Sequence, residues 1–250
     1  MSSEKIIGIV GGVGPYAGLD LAKKIFDQTK AKSDQEHLPI ALLSIPQQIE
    51  DRTAFLLNET NINPANAIFT IIRKLEQIGA DIIGIACNTA HTPEIFDTIL
   101  KKLNQANSGV RLFNMIKEVA AYIRTSCSTV KDIGILCTTG AYKTRLYQNI
   151  LEPEGFNVIM PDQALQDSVV NKAIYEIKAQ SNPVTEAAEE QVLAGIEHLQ
   201  KKGAQAIVLG CTELGLAVSA GQAGETVIID PALILARALI KAAAPHKLRP

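Results

Sequence analysis

Ala80-Asp-Ile-Ile-Gly-Ile-Ala-Cys87-Asn-Thr89 is the stretch from which the fold can be read, because it returns later as Ala204-Gln-Ala-Ile-Val-Leu-Gly-Cys211-Thr-Glu213. Each copy is a short aliphatic run with little polar alternation, which is how a strand covered on both faces reads. Each ends in a cysteine followed by small hydrogen-bonding residues. A second pair echoes the first: Lys5-Ile-Ile-Gly8-Ile-Val10 returns as Lys131-Asp-Ile-Gly134-Ile-Leu136. Cys87 and Cys211 lie 124 residues apart, Gly8 and Gly134 lie 126 apart. Two echoes at nearly one offset point to a duplicated half of roughly 120 residues, too long for a solenoid repeat.

Working outward, β-like runs occur at Ile6–Val10, Ile40–Ile45, Asp81–Ala86, Val110–Phe113, Asp132–Leu136, Asn157–Met160, Ala206–Leu209 and Thr226–Ile229. Helix-period stretches separate them. In Ala17–Lys30, Leu21, Ile25 and Phe26 share a face; in Pro183–Lys201, Val184, Ala188, Val192, Ile196 and Leu199 do so. Pro64, Pro93, Pro183 and Pro231 stand where a first-turn proline would, and Asp230 is placed to cap a final helix. Strand–helix alternation predicts an α/β fold of two pseudo-symmetric domains, each a short parallel sheet flanked by helices. The expected boundaries are 1–115 for the half carrying Cys87 and 116–228 for the half carrying Cys211. The helix within 229–250 is expected to pack back on the first half.

Composition removes several function classes. The chain has 250 residues, 47% hydrophobic and 20% charged, with a net charge of −2. That balance leaves no electrostatic footprint for nucleic acid or an anionic membrane. Aromatics are 4% and Trp is absent, so no base-stacking platform is expected. No secretory signal and no membrane-length apolar run is visible. Four dispersed cysteines make no disulfide scaffold, and a reduced, cytoplasmic protein is expected.

In open α/β sheets, ligands bind outside the carboxyl ends of the strands, and Cys87 and Cys211 both stand at such ends. A helix start after each would favour the thiolate through backbone N–H groups and the dipole. The plain alternative is a small buried hydrophobe. Twice at matched positions of a repeat, the thiol reads as functional. A thiolate can take a proton from one face of a carbon while a thiol returns one to the other.

Gly11-Gly-Val-Gly-Pro15, Ala86-Cys-Asn-Thr-Ala-His91 and Leu209-Gly-Cys-Thr-Glu-Leu214 resemble the aspartate/glutamate racemase family, its aspartate racemase branch in particular. The likeness continues through Asp51-Arg-Thr53, Cys137-Thr-Thr-Gly140 and Ile229-Asp-Pro231. The resemblance implies a cofactor-independent, PLP-independent enzyme, often a homodimer, that binds a small acidic amino acid in the cleft between its halves. It implies Cys87 and Cys211 as the acid/base pair. Asn88, Thr89, Thr138, Thr139 and Thr212 would cradle the amino and carboxylate groups, and Arg52 would meet a carboxylate. Lys178, with Lys172 beside it, is the match to a family lysine. Val13 stands where relatives often have methionine and Gly18 where threonine is usual, and Gln47 and Gln48 are plausible further contacts.

Glu213 has two readings, tuning the Cys211 thiol or capping the next helix. His91 reads as a first-turn histidine bonding to backbone, and Cys127 and Cys137 as structural. Gly12-Val-Gly14-Pro-Tyr-Ala17 satisfies a dinucleotide pattern, but the second strand lacks its terminal acid and Pro15 removes a donor. No metal is implied, since Cys87-x₃-His91 has no second pair at ligand spacing. The expected reaction is interconversion of L- and D-aspartate, or of glutamate. Decarboxylation or cis–trans isomerisation of a small dicarboxylate is the nearest alternative, and a non-catalytic acid-binding protein the alternative from another class.

Overall fold

The structure is a computed structural model that describes residues 4–179, 183–224 and 226–250. The chain divides into two compact units, one running to Glu118 and taken up again by Ala232–Pro250, the other Val119–Pro231.

In the first unit, four strands form a parallel sheet: β1 (Ile6–Gly11), β2 (Ile40–Ser44), β3 (Ala80–Ile85) and β4 (Arg111–Leu112), in the order β2-β1-β3-β4. Alternation sorts its side chains to two faces. Val10, Ile83 and Ile85 pack with Ile68, Ile71, Ile72 and Leu75 of helix Ala65–Gln77 and with Ile95 and Ile99 of helix Pro93–Gln105. Ile7, Ile9 and Ile82 pack with Leu21 and Ile25 of helix Pro15–Gln28 and with Leu235, Leu239 and Ile240 of helix Pro231–Ala243. The last helix approaches β3 closely, since a Cβ at Gly84 would lie 2.8 Å from Leu239 Cδ1.

In the second unit, β5 (Asp132–Cys137), β6 (Asn157–Ile159), β7 (Ala206–Gly210), β8 (Gly221–Ala223) and β9 (Thr226–Ile229) take the order β6-β5-β7-β9-β8. With β8 set aside, this is the strand order of the first sheet, with β5 and β7 standing where β1 and β3 stand. Leu136, Ile207 and Leu209 pack with Ile174 and Ile177 of helix Asn171–Ala179 and with Ala188, Val192, Ile196 and Leu199 of helix Glu186–Lys201.

The α/β class and paired sheets agree with the sequence reading, with four local corrections. The second sheet is not wholly parallel, because β8 adds an antiparallel edge to β9; three residues, Gly-Gln-Ala, carry no aliphatic run to announce it. Phe26 leaves the buried face of its helix, is 39% exposed and meets His37 edge-on. Pro183 precedes rather than opens its helix, which Thr185 caps by accepting from the Ala188 N–H at 3.2 Å. Pro64 stands at the cap of Ala65–Gln77 rather than in its first turn, whereas the helix after Cys87 starts at Pro93 as expected, following a single 3₁₀ turn at Thr89–His91. Among the described residues no helix is long and apolar enough to cross a membrane.

Candidate functional site

Period-2 alternation aims both thiols alike. Ile83, Ile85 and Cys87 belong to one face of the first sheet; Ile207, Leu209 and Cys211 belong to the equivalent face of the second. Both cysteines are buried, 6% and 4% exposed, and each stands just beyond the carboxyl end of its strand. Each unit contributes its own set of groups around its thiol.

In the first unit the loops after β1, β2 and β3 share one edge of the sheet. Gly12 has φ +78, and a Cβ there would sit 2.9 Å from the Ile45 and Pro46 nitrogens, so two loop backbones touch where only glycine fits. That contact explains the glycine motif without a bound nucleotide. Arg52 opens a short helix, Arg52–Leu56, capped by Asp51, which accepts from the Ala54 N–H at 2.8 Å. Its buried guanidinium donates from Nη2 to the Val13 carbonyl at 3.3 Å and from Nη1 to the Glu50 carbonyl at 3.3 Å. The same short helix lies against the Thr89–His91 turn. Val13, Arg52 and the Cys87 loop are thereby gathered, with Asn88 and Thr89 buried beside the thiol. Gln48 is exposed on the Pro46–Gln48 turn.

His91 is buried, stacks on Phe96 at 5.1 Å, and its Nδ1–H donates to the Cys87 carbonyl at 2.8 Å. Burial drives its pKa down to about 4, against a weaker upward pull from the carbonyls of Cys87, Phe113 and Asn88. The imidazole is neutral near pH 7 and braces the loop backbone. One 3₁₀ turn separates Cys87 from the α-helix that starts at Pro93.

In the second unit, Cys137 pairs in register with Gly210, which sets the Thr138-Thr139 loop beside Cys211. Thr138 caps helix Thr139–Lys143 by accepting from Ala141 N–H at 3.3 Å, while the Thr139 hydroxyl is buried with no hydrogen-bond partner among the described residues. Cys211 Sγ donates to Glu213 Oε2 at 2.9 Å, and Thr212 Oγ1 donates to the same oxygen at 3.1 Å. Glu213 makes no cap with its side chain, so of its two readings the contact with the thiol is the one the structure contains. Cys137 is pushed up to about 12 by burial, which keeps it a thiol. Lys178 holds its ammonium 4.9 Å from the Tyr175 ring centre, and Lys172 is exposed.

Gln166 and Tyr147 escape sequence reasoning, and Asp230 reads there only as a cap and as part of a motif. Gln166, fully buried on a π-helical turn at Gln166–Val170, donates from Nε2 to the Cys137 carbonyl at 2.9 Å. Tyr147 is buried with its Cε2 against the space a Gly210 Cβ would fill, and Asp230 sets its carboxylate against Gly215. Each acts across at least 15 residues of chain, and no local pattern marks such contacts. No group of three or more His, Cys, Asp or Glu is placed to hold a metal ion among the described residues.

A family model described as Asp/Glu/Hydantoin racemase matches residues 10–239, nearly the whole chain. The chain belongs to that racemase family. A solved structure titled as the aspartate racemase of Picrophilus torridus is 32% identical, with a TM-score of 0.82, covering 98% of this chain and 96% of the other. A structure from Yersinia pestis described as a putative Asp/Glu racemase is 25% identical at TM-score 0.74, covering 96% and 99%. A Bacillus subtilis (strain 168) protein named as the broad specificity amino-acid racemase RacX is 27% identical over 239 residues, 94% of this chain and 96% of that protein.

Proposed function

We propose that this member of the racemase family interconverts L- and D-aspartate without a cofactor, Cys87 and Cys211 exchanging the roles of base and acid. The observation that carries the reading is the pair of thiols on equivalent faces, past the ends of β3 and β7, in two sheets of the same strand order. In one direction the Cys87 thiolate takes the Cα proton, an S–H bond forming as the C–H bond breaks. The Cys211 thiol then gives its proton to the opposite face of the same carbon, leaving a thiolate. One turnover leaves Cys87 a thiol and Cys211 a thiolate, the form that runs the reverse reaction, and proton exchange with solvent restores the starting form.

The intermediate spreads negative charge onto the carboxylate oxygens, which need donors already in position. Asn88, Thr89, Thr138, Thr139 and Thr212 supply such donors, and the held guanidinium of Arg52 is suited to a carboxylate. Similarity to the Picrophilus protein favours aspartate. Similarity to the Bacillus protein favours the second reading, racemisation of a wider range of amino acids.

The test is incubation with L-aspartate in D₂O, no PLP added, followed by chiral chromatography and mass spectrometry. D-aspartate carrying one deuterium at Cα is the expected product. Cys87→Ser and Cys211→Ser are each expected to lower kcat by about a thousandfold or more, the scale of losing a group that acts in the chemical step. Turnover of several neutral amino acids at comparable rates would support the broader range. Absence of exchange with every amino acid tried, in a folded protein, would overturn both.

A further inference from the structure

The two thiols stand in different electrostatic surroundings, and the difference predicts which of them is charged before substrate arrives. We propose that Glu213 is a positioning residue that keeps the resting proton on Cys211, leaving Cys87 to ionise first. The proposal rests on the reading of the two cysteines as an acid/base pair and adds the resting state of that pair.

The argument starts from the Sγ–Oε2 contact of 2.9 Å. An ionised carboxylate only accepts hydrogen bonds, so the contact is made by a thiol and lost by a thiolate. Ionising Cys211 would set two negative charges against each other in a buried site, the arrangement that raises an acid's pKa most steeply. Glu213 is 3% exposed, Thr212 already donates to the same oxygen, and Oε1 has no hydrogen-bond partner among the described residues. The thiol is therefore one of the few donors available to the carboxylate, and the pair holds its proton from both ends.

The other titratable groups that the second unit brings to this place are Cys137 at the end of β5, Tyr147 and Asp230. Burial keeps Cys137 and Tyr147 neutral, and none of the three can supply the positive charge that would favour a thiolate at Cys211. Cys87 has no carboxylate bonded to its sulfur: its Sγ makes no hydrogen bond among the described residues. His91 is neutral and turned toward backbone, and the helix packed against the Thr89–His91 turn brings a cation, Arg52, and the carboxylate of its cap, Asp51, which is engaged with the Ala54 N–H.

Activity measurements alone cannot display this bias. Two enantiomers have equal free energy, so kcat/KM is equal in both directions whatever the resting proton does. The thiols must be titrated directly. The intact protein is alkylated with iodoacetamide in short pulses between pH 6 and pH 10, and the rate at each cysteine is read by peptide mass spectrometry. The midpoint of each rate–pH curve reports ionisation and is independent of how easily the reagent enters.

The expected result is a Cys211 midpoint about one pH unit or more above that of Cys87, roughly tenfold in relative thiolate below both midpoints. Glu213→Gln keeps the side chain's shape and removes its charge, and is expected to bring the Cys211 midpoint down while leaving that of Cys87 in place. Equal midpoints in the unaltered protein, or a lower one at Cys211, would overturn the proposal without any variant. So would a folded Glu213→Gln protein whose Cys211 midpoint has not moved. Because alkylation needs no substrate, these outcomes are separate from the deuterium-exchange test of the racemase reading.

Discussion

The loops after β3 and β7 begin alike and are built differently. Each carries a buried cysteine on the same face of its sheet, followed by Asn88-Thr89 in one and Thr212-Glu213 in the other. The first loop is braced from below by a neutral ring, His91, whose bond goes to the carbonyl of Cys87 and leaves the sulfur alone. The second is braced through the sulfur itself, by Glu213. Duplication supplies matching strand ends and matching sulfur positions. It does not supply matching chemistry around them, and a residue two places from one thiol does what a residue four places from the other does not.

The largest effect that separates the loops is on stability in acid. In the unfolded chain the His91 imidazole takes a proton near its ordinary value of 6.5, but in the folded protein only near 4. Between those values the unfolded state binds more protons, so stability falls as pH is lowered through that window and the loss is complete below about 4. A shift of this size corresponds to about 3 kcal/mol at the acid end. Thermal melts at pH 7, 5.5 and 4.5 should show a steepening loss of midpoint. His91→Asn offers an amide N–H for the Cys87 carbonyl without a titrating group, and should be less stable at pH 7 yet lose less on acidification. An equal acid loss in both proteins would show that the brace under the first loop is not what acid attacks.

Next in size is a comparison of glycines on the two central strands. A Cβ at Gly210 would lie 2.8 Å from Tyr147 Cε2, 2.9 Å from the Leu136 carbonyl oxygen and 3.1 Å from Cys137 Cβ. Backbone and a buried ring cannot yield, so Gly210→Ala is expected to cost about 2–3 kcal/mol, the upper part of the range for overpacking a core. At Gly84 the nearest atoms are Leu239 Cδ1 at 2.8 Å and Leu235 Cδ2 at 3.4 Å, both ends of flexible side chains. There alanine should cost about 1 kcal/mol. Urea midpoints of the two variants measure the difference. Equal costs would mean that the ring behind Cys211 gives way as easily as a leucine terminus does.

The same contrast explains how much was legible in the sequence. Aliphatic runs such as Ile82–Ile85 and Ala206–Leu209 announce central strands because burial on both faces leaves no polar alternation. β8, with Gly221-Gln-Ala223, is held by pairing to β9 and has no such signature. Cysteines at strand ends could be singled out, since strand ends follow from the runs. That Glu213 meets Sγ and makes no helix cap depends on a few backbone angles, and Gln166 reaches Cys137 across 29 residues of chain. The helix start at Pro93 was legible from its proline, but the single 3₁₀ turn between it and Cys87 was not.

The smallest effect tests whether Gly18 shapes a binding pocket or only seats a helix. Its helix crosses β1 so closely that a Cβ at residue 18 would lie 3.1 Å from Gly11 Cα and 3.1 Å from Leu42 Cδ1. One neighbour is backbone and must shift by a few tenths of an ångström; the other is a methyl that can turn away. Against that cost stands a gain of about 0.8–1 kcal/mol from replacing glycine by alanine inside a helix. The two nearly cancel, and Gly18→Ala should leave stability within about 0.5 kcal/mol of the parent. Gly18→Thr adds two more atoms at the same contact and forgoes most of the helix gain, so it should be destabilised by about 1–2 kcal/mol. If the residue only seats the helix, KM for aspartate is unchanged in both variants. A KM that moves severalfold in Gly18→Ala, with stability intact, would assign Gly18 to the substrate's side of the β1 loop.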